Sequence, residues 1–177
     1  SILKSERLVL NSMQRMSAIA TKTKHFANLL QGTNTKILDT RKTTPGFRAC
    51  EKWAVKIGGG ENHRFALYDM VMLKDNHIDY CGGIEKALDK AFAYVQTKKP
   101  GLKIEVETRS IEDVKTVLTS GKADVIMLDN FTPEQVAAAL TIIDKQFETE
   151  ASGGINSENI IQYAATGVDY VSVGGLI

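Results

Sequence analysis

Lys36-Ile37-Leu38-Asp39-Thr40-Arg41-Lys42-Thr43-Thr44-Pro45-Gly46 is the stretch on which the reading of this chain turns. A short apolar run ends abruptly in an acid, two adjacent cations, three hydroxyls and a Pro-Gly turn. Such a segment makes poor core and a good anion site at the end of a strand. The same grammar recurs along the chain. Lys74 follows the apolar run 70–73, Glu107 ends the run that begins at Ile104, and Asp129 follows 125–128. Ser152-Gly153-Gly154 follows 147–151, and Gly174-Gly175 follows 170–173.

Between these runs the apolar residues fall at helical spacing. Residues 5–30 carry Val9, Met13, Met16, Ala20, Ala27 and Leu30 at three- and four-residue steps, which predicts a long helix with that stripe buried and Ser5 as its N-cap. Residues 48–57 read as a helix ended by Gly58-Gly59-Gly60, which leads into Glu61-Asn62-His63-Arg64. The three glycines permit a sharp turn or a close approach to a ligand, and they match neither the P-loop nor the dinucleotide fingerprint.

From residue 70 onward strands at 71–73, 103–106, 125–128, 147–151 and 169–173 alternate with helices at 83–97, 111–118, 133–143 and 157–165. Pro133 sits at the first helical position after Thr132 as cap. This alternation predicts parallel β/α units with right-handed crossovers, and most of the strands read as fully apolar at their centres. Such strands suit a doubly wound sheet or a β/α barrel. The barrel is favoured because polar residues stand at the C-terminal ends of all the strands, not at one switch point. A full β/α barrel takes about 250 residues. The expectation is an α/β fold: an incomplete TIM-like barrel over residues 1–177, with 1–35 as leading helix and connection, and with both ends looking cut.

Composition bounds the function. The 177 residues are 43% hydrophobic and 24% charged with a net charge of +1, so no global field steers the chain to nucleic acid or to an anionic membrane. No apolar run approaches the roughly 20 residues that span a bilayer. Cys50 and Cys81 lie far apart, and with His25, His63 and His77 they form no Cys-x-x-Cys or His-x-x-x-His spacing. A disulfide framework and a structural zinc site are therefore not indicated, and a reduced, cytoplasmic setting is expected.

On a barrel the strand ends converge on one mouth, bringing Arg41, Lys42, Lys74, Glu107, Asp129 and Ser152 together. His63 and Arg64 from the glycine-flanked loop would join them, giving five cationic or potentially cationic groups and two acids. That set fits a polyanionic substrate with Mg2+, since Mg2+ takes one or two carboxylates plus phosphate oxygens, and Glu107 and Asp129 can supply the carboxylates. Ser152-Gly153-Gly154 and Gly174-Gly175 resemble the phosphate cradle that barrels build from their last two loops.

Arg41-Lys42-Thr43, Gly59-Gly60-Glu61-Asn62-His63-Arg64, Leu73-Lys74-Asp75-Asn76-His77, Leu128-Asp129-Asn130-Phe131 and Ser152-Gly153-Gly154, in this order and spacing, resemble the quinolinate phosphoribosyltransferase family. The resemblance runs from about Glu6 to Gly175. It implies conversion of quinolinate and phosphoribosyl pyrophosphate to nicotinate mononucleotide, pyrophosphate and CO2 in NAD biosynthesis. It also implies that Arg41, His63, Arg64 and Lys74 hold the quinolinate carboxylates, with Arg7 donated across a homodimer or higher homo-oligomer interface. Lys42, Glu107 and Asp129 would face the phosphoribosyl donor and its Mg2+, with Lys74, Glu107 and Asp129 catalytic. Ser152, Gly153 and Gly174 would surround the 5-phosphate. The family's N-terminal α/β cap domain and C-terminal tail are not found in these 177 residues. Two rival readings remain: a related pyrophosphorylase taking another small anionic acceptor, and an inactive barrel fragment serving as a dimerisation module through the 9–30 stripe.

Overall fold

Six short runs of extended chain pair side by side, every pair parallel, in a computed structural model that describes residues 2–177; Ser1, the first residue of the expected leading segment, lies outside it. They are β1 (Lys36–Leu38), β2 (Val71–Leu73), β3 (Ile104–Thr108), β4 (Val125–Asp129), β5 (Glu148–Ser152) and β6 (Tyr170–Ser172), in the spatial order β1-β6-β5-β4-β3-β2. The sheet stays open between β1 and β2. Glu61 bridges to Leu38 in parallel beside β1, so the loop that follows the glycines begins to fill that gap. The result is the expected incomplete barrel.

Helices join the strands: α1 (Ile2–Leu29), α2 (Arg48–Ile57), α3 (Asp75–Cys81), α4 (Ile84–Lys98), α5 (Ile111–Ser120), α6 (Pro133–Ile143) and α7 (Ile160–Ala164). Ser110 caps α5 by accepting the Asp113 N–H, and Thr132 with Gln135 forms a capping box on α6, whose Pro133 sits where its missing N–H costs nothing. The helices pack on one face of the sheet, where Ile37, Ile104, Val106, Ile126, Leu128, Ala151 and Val171 form the core with Leu88, Val117, Val136 and Ile160. Each of these Val, Leu and Ile side chains contributes roughly 1.5–3 kcal/mol through burial.

The opposite face follows from the two-residue period of a strand. Register puts Met72 beside Glu105, Glu107 beside Met127, Met127 beside Glu150 and Asp129 beside Ser152. This inner face is polar: Glu105, Glu107 and Glu150 are all buried within the strands. The expectation of apolar strand centres therefore holds for β4 and fails for β3 and β5.

Two expectations about α1 are corrected, and the glycines that make the expected turn also have a packing role. Ser5 is not the cap of α1, which is already helical at Ile2. The buried face of α1 is Ile19, Thr23, Phe26 and Leu30, while Val9 and Met13 are exposed, because only the C-terminal half of the helix lies on α2 and β1. Gly58 and Gly60 serve packing: a Cβ on Gly58 would lie 2.5 Å from the Ala20 carbonyl, and one on Gly60 would lie 2.8 Å from Thr23 Cγ2. The helix α3 was not anticipated, and α7 is shorter than the expected 157–165.

Candidate active site

Asp39, the acid that stops β1, sets the geometry around the first loop. It is fully buried and takes the Lys52 ammonium at 2.5 Å on Oδ1, the His63 N–H at 2.9 Å on the same oxygen and the Asn62 amide at 2.6 Å on Oδ2. Lys52, itself only 2% exposed, also donates to the His63 carbonyl at 3.0 Å. One buried ion pair from α2 thus ties the Arg41 loop to the His63-Arg64 loop. Burial raises the Asp39 carboxyl above its usual range even with Lys52 beside it. Glu51, on the same helix, accepts from Arg15, from the Thr44 hydroxyl and from the Thr44 N–H, so the turn after Lys42 is anchored as well.

These loops and the C-terminal strand ends surround a cavity of about 810 Å³. Its lining includes Arg41, Lys42, His63, Arg64, Lys74, Glu107, Asp129, Ser152, Gly153 and Gly174. Arg7 does not line it; that residue stands exposed on the N-terminal half of α1. Arg41 and Arg64 crowd one wall. Arg41 Nε is buried with no hydrogen-bond partner among the described residues. Arg64 gives one guanidinium nitrogen to the Met70 carbonyl at 3.1 Å, and burial followed by the charge of Arg41 pulls its pKa down. Two like charges held together with an orphaned donor form a site for an anion.

Lys74 sits at the turn from β2 to α3, fixed by its own N–H donating to His77 Nδ1 at 3.0 Å. Its ammonium reaches Glu107 at 3.3 Å. Burial, and next the charge of Glu107, raises the Asp129 carboxyl, which accepts from the Asn130 amide at 2.7 Å. Two acids near one another with one lysine between them leave room for further positive charge, and an oxygen-ligated divalent cation fits that donor set.

At the far side, Gly153 adopts a φ of +97° and stands so close to Asn130 that a Cβ there would lie 2.2 Å from Oδ1. Only glycine closes that approach without strain. The expected helix start near Ser157 is instead a turn, in which Asn159 accepts from the Asn156 N–H and donates to the Gly154 carbonyl. The cradle is therefore made of loop backbone.

Below the mouth, His63 projects into the barrel interior. Its Nε2 lies 2.9 Å from Glu105 Oε2 and 3.3 Å from Glu150 Oε2, while Nδ1 accepts the Arg64 N–H at 2.8 Å. Burial pushes the Glu105 carboxyl up to about 7. Burial disfavours a charged imidazole, whereas the two carboxyl groups favour it and would carry His63 up to about 10. The Arg64 amide opposes that second proton, because a protonated Nδ1 would face an N–H donor. The Arg64 N–H on Nδ1 favours the tautomer whose proton sits on Nε2. Glu105 and Glu150 escaped the sequence reading, although Glu105/Glu107 and Glu148/Glu150 repeat every second residue, the spacing that puts acids on one strand face.

Residues 19–177 match the family model described as "Quinolinate phosphoribosyl transferase, C-terminal domain". The chain is 46% identical over 190 residues to quinolinate phosphoribosyltransferase [decarboxylating] 1b of Nicotiana tabacum, covering 99% of this chain and 54% of that protein. It is 47% identical over 176 residues to the probable nicotinate-nucleotide pyrophosphorylase [carboxylating] of Bacillus subtilis, covering 99% and 60%. The crystal structure of NadC from Streptococcus pyogenes superposes with a TM-score of 0.91 at 42% identity, covering 99% of this chain and 60% of that one. The chain thus spans between half and two thirds of the length of the curated relatives it matches. A match over most of the chain, joined to a fold that agrees with it, means that the chain belongs to the quinolinate phosphoribosyl transferase family and corresponds to its C-terminal domain.

Proposed function

We propose that the cavity transfers a phosphoribosyl group from phosphoribosyl pyrophosphate to quinolinate with loss of CO2, giving nicotinate mononucleotide and pyrophosphate. The observation that carries the reading is the Arg41/Arg64 pair, two adjacent guanidinium groups that Glu105 and Asp69 offset only in part, with the Arg41 Nε buried and unpartnered among the described residues. A single carboxylate would neutralise one of them; a ligand with two adjacent carboxylates answers both. Arg41, Arg64 and Lys74 take those carboxylates, and His63 completes the floor beneath them. Lys42 faces the donor's pyrophosphate, and Ser152, Gly153 and Gly174 surround its 5-phosphate.

Departure of pyrophosphate leaves an oxocarbenium-like ribose carbon, which Glu107 and Asp129 stabilise while Lys42 neutralises the leaving group. Attack by the pyridine nitrogen makes the ring cationic, so the ring stabilises the electron pair left on the carbon that loses CO2, and that carbon then takes a proton from water. No covalent bond to the protein is needed. Glu107 and Asp129 would hold Mg2+, which when bound would offset the charge of the departing pyrophosphate.

A homodimer, or a higher homo-oligomer, is part of this reading. Leu3, Leu8, Val9, Leu10 and Met13 are exposed on α1, and Trp53 and Ile57 on α2, a density of apolar surface that fits burial against a second copy, with Arg7 among them reaching the partner's cavity. No helix among the described residues is long and apolar enough to cross a membrane. The free thiols of Cys50 and Cys81 accord with a reduced compartment such as the cytoplasm.

The test is formation of nicotinate mononucleotide from quinolinate, phosphoribosyl pyrophosphate and Mg2+ by this chain and by Lys74→Ala, with quinolinate and nicotinate affinities measured alongside. Product from the wild type alone, and quinolinate bound more tightly than nicotinate, are expected. Nicotinate bound as tightly would overturn the two-carboxylate argument.

A further inference from the structure

Glu105 is fully buried and Glu150 is 1% exposed, yet both oxygens of Glu105, Oε1 of Glu150 and Nε2 of His63 lack a well-aligned hydrogen-bond partner among the described residues. Carboxylates in such a place are strongly destabilising unless something compensates them. The group facing both is His63 Nε2. The three residues come from three separate parts of the barrel: His63 from the loop that begins to fill the gap between β1 and β2, Glu105 from β3 and Glu150 from β5. Only the curl of the sheet brings them together.

Two occupants suit such a trio. The donor atoms lie within 4.8 Å of one another, a spacing a divalent cation would accept. The other nitrogen decides against the cation. A metal-bound imidazole keeps its proton on the free nitrogen and donates from it. His63 Nδ1 instead accepts the Arg64 N–H at 2.8 Å, which leaves the ring proton on Nε2, aimed at the glutamates. Nδ1 is thereby engaged within the protein, and Nε2 faces the two carboxyl groups at 2.9 and 3.3 Å.

We propose that Glu105 and Glu150 are positioning residues for the dicarboxylate subsite: from beneath, they hold His63 through its Nε2–H, and His63 in turn holds the Arg64 backbone through Nδ1. The chain of contacts runs from barrel floor to substrate arginine. His63 then shapes the subsite by what it fixes, not by donating to a substrate carboxylate. The effect is local, since Lys42, Gly153 and Gly174 at the donor end come from other loops. This inference rests on the proposed reaction for the identity of the acid, and on geometry alone for the support of His63.

The experiment compares two double variants of the chain, Glu105→Gln/Glu150→Gln, whose amide oxygens still accept from Nε2–H, and Glu105→Met/Glu150→Met, which fill the space without accepting. Imidazole nitrogen NMR reads the tautomer of His63 against His25 and His77 in the ligand-free protein. The expected result is an Nε2–H tautomer in the wild type and the Gln pair, lost in the Met pair. Quinolinate affinity should hold within about twofold in the Gln pair and fall about tenfold in the Met pair, the loss expected for one hydrogen bond to a charged group. Affinity for phosphoribosyl pyrophosphate with Mg2+ should stay within about twofold in both.

An Nδ1–H tautomer in the wild type, displacement of the Nε2 proton by added Zn2+, or a Met pair that weakens both ligands equally would each overturn the proposal. So would a shift of the His63 nitrogens on saturation with quinolinate that signals a new hydrogen bond. Failure of the wild type to bind quinolinate would sink the proposed reaction, and the tautomer comparison would still decide whether the glutamates hold His63.

Discussion

Replacing Lys52 with methionine strands Asp39. The carboxyl is fully buried, and its compensation falls from three partners to the Asn62 amide and the His63 N–H. Breaking a buried pair from one side costs about 3–5 kcal/mol. Protonation sets a ceiling on the charge part of that cost: holding the carboxyl neutral at pH 7, against its ordinary 3.8, costs about 4.4 kcal/mol at about 1.4 kcal/mol per pH unit. The lost bond to the His63 carbonyl adds about 1 kcal/mol. A loss of at most about 5 kcal/mol at pH 7 follows, since the wild type already bears part of the cost of the raised carboxyl. A carboxyl whose folded pKa is raised contributes stability that is fully present below the unfolded value and is lost as pH rises through the folded one. Burial already outweighs Lys52 in the wild type, and without Lys52 the folded pKa rises further. The deficit of Lys52→Met should therefore shrink by roughly 2–3 kcal/mol between pH 7 and pH 5. Urea unfolding at pH 5, 6 and 7 reads this, and adding Asp39→Asn to the Lys52→Met chain should remove most of the pH dependence. A deficit below about 1 kcal/mol at pH 7, or one that grows on acidification, would refute the account of the Asp39 site.

Two further substitutions probe the cavity. Gly153→Ala places a Cβ 2.2 Å from Asn130 Oδ1 on a backbone at φ +97°, so it should cost about 1–3 kcal/mol in urea unfolding and weaken binding of phosphoribosyl pyrophosphate. An unchanged donor affinity measured by calorimetry would separate Gly153 from the phosphate cradle. Asp129→Ala should lower Mg2+-dependent affinity for the same donor about tenfold while leaving quinolinate affinity near the wild type; equal affinity with and without Mg2+ in both proteins would remove the metal role of Asp129.

How much of this was legible in the sequence depended on whether a residue's partner lay nearby in the chain. The limits of α2, β2 and α6 could be read because each is bounded by local chemistry, glycines after Ile57 or Pro133 behind Thr132. The cavity-lining residues could be read because a parallel strand followed by a loop always delivers its last residue to the same rim. The stripe on α1 could not. Apolar spacing over residues 9–30 is continuous, and only the position of α2 decides that burial begins near Ile19. The short helix α3 was hidden for a related reason: Asp75-Asn76-His77 reads as loop chemistry until His77 is seen to turn back onto the Lys74 N–H.

The inner face of the barrel was the least legible region, and the reason bears on function. A strand between two apolar layers can be recognised by its apolar content, but β3 and β5 have an apolar layer on one side only. On the other side Glu105 and Glu150 are buried against His63, so burial and polarity no longer exclude one another. Such a floor spends stability that an apolar filling would keep. What it obtains is direction: Arg64 is held at its backbone by His63 Nδ1 and at its guanidinium by the Met70 carbonyl, leaving the charge little freedom to collapse onto Glu105. An apolar core could fill the same space, but it could not turn the His63-Arg64 peptide. The polar interior is therefore best understood as the support of the cavity, with the helix-covered face carrying the stability that the floor gives up.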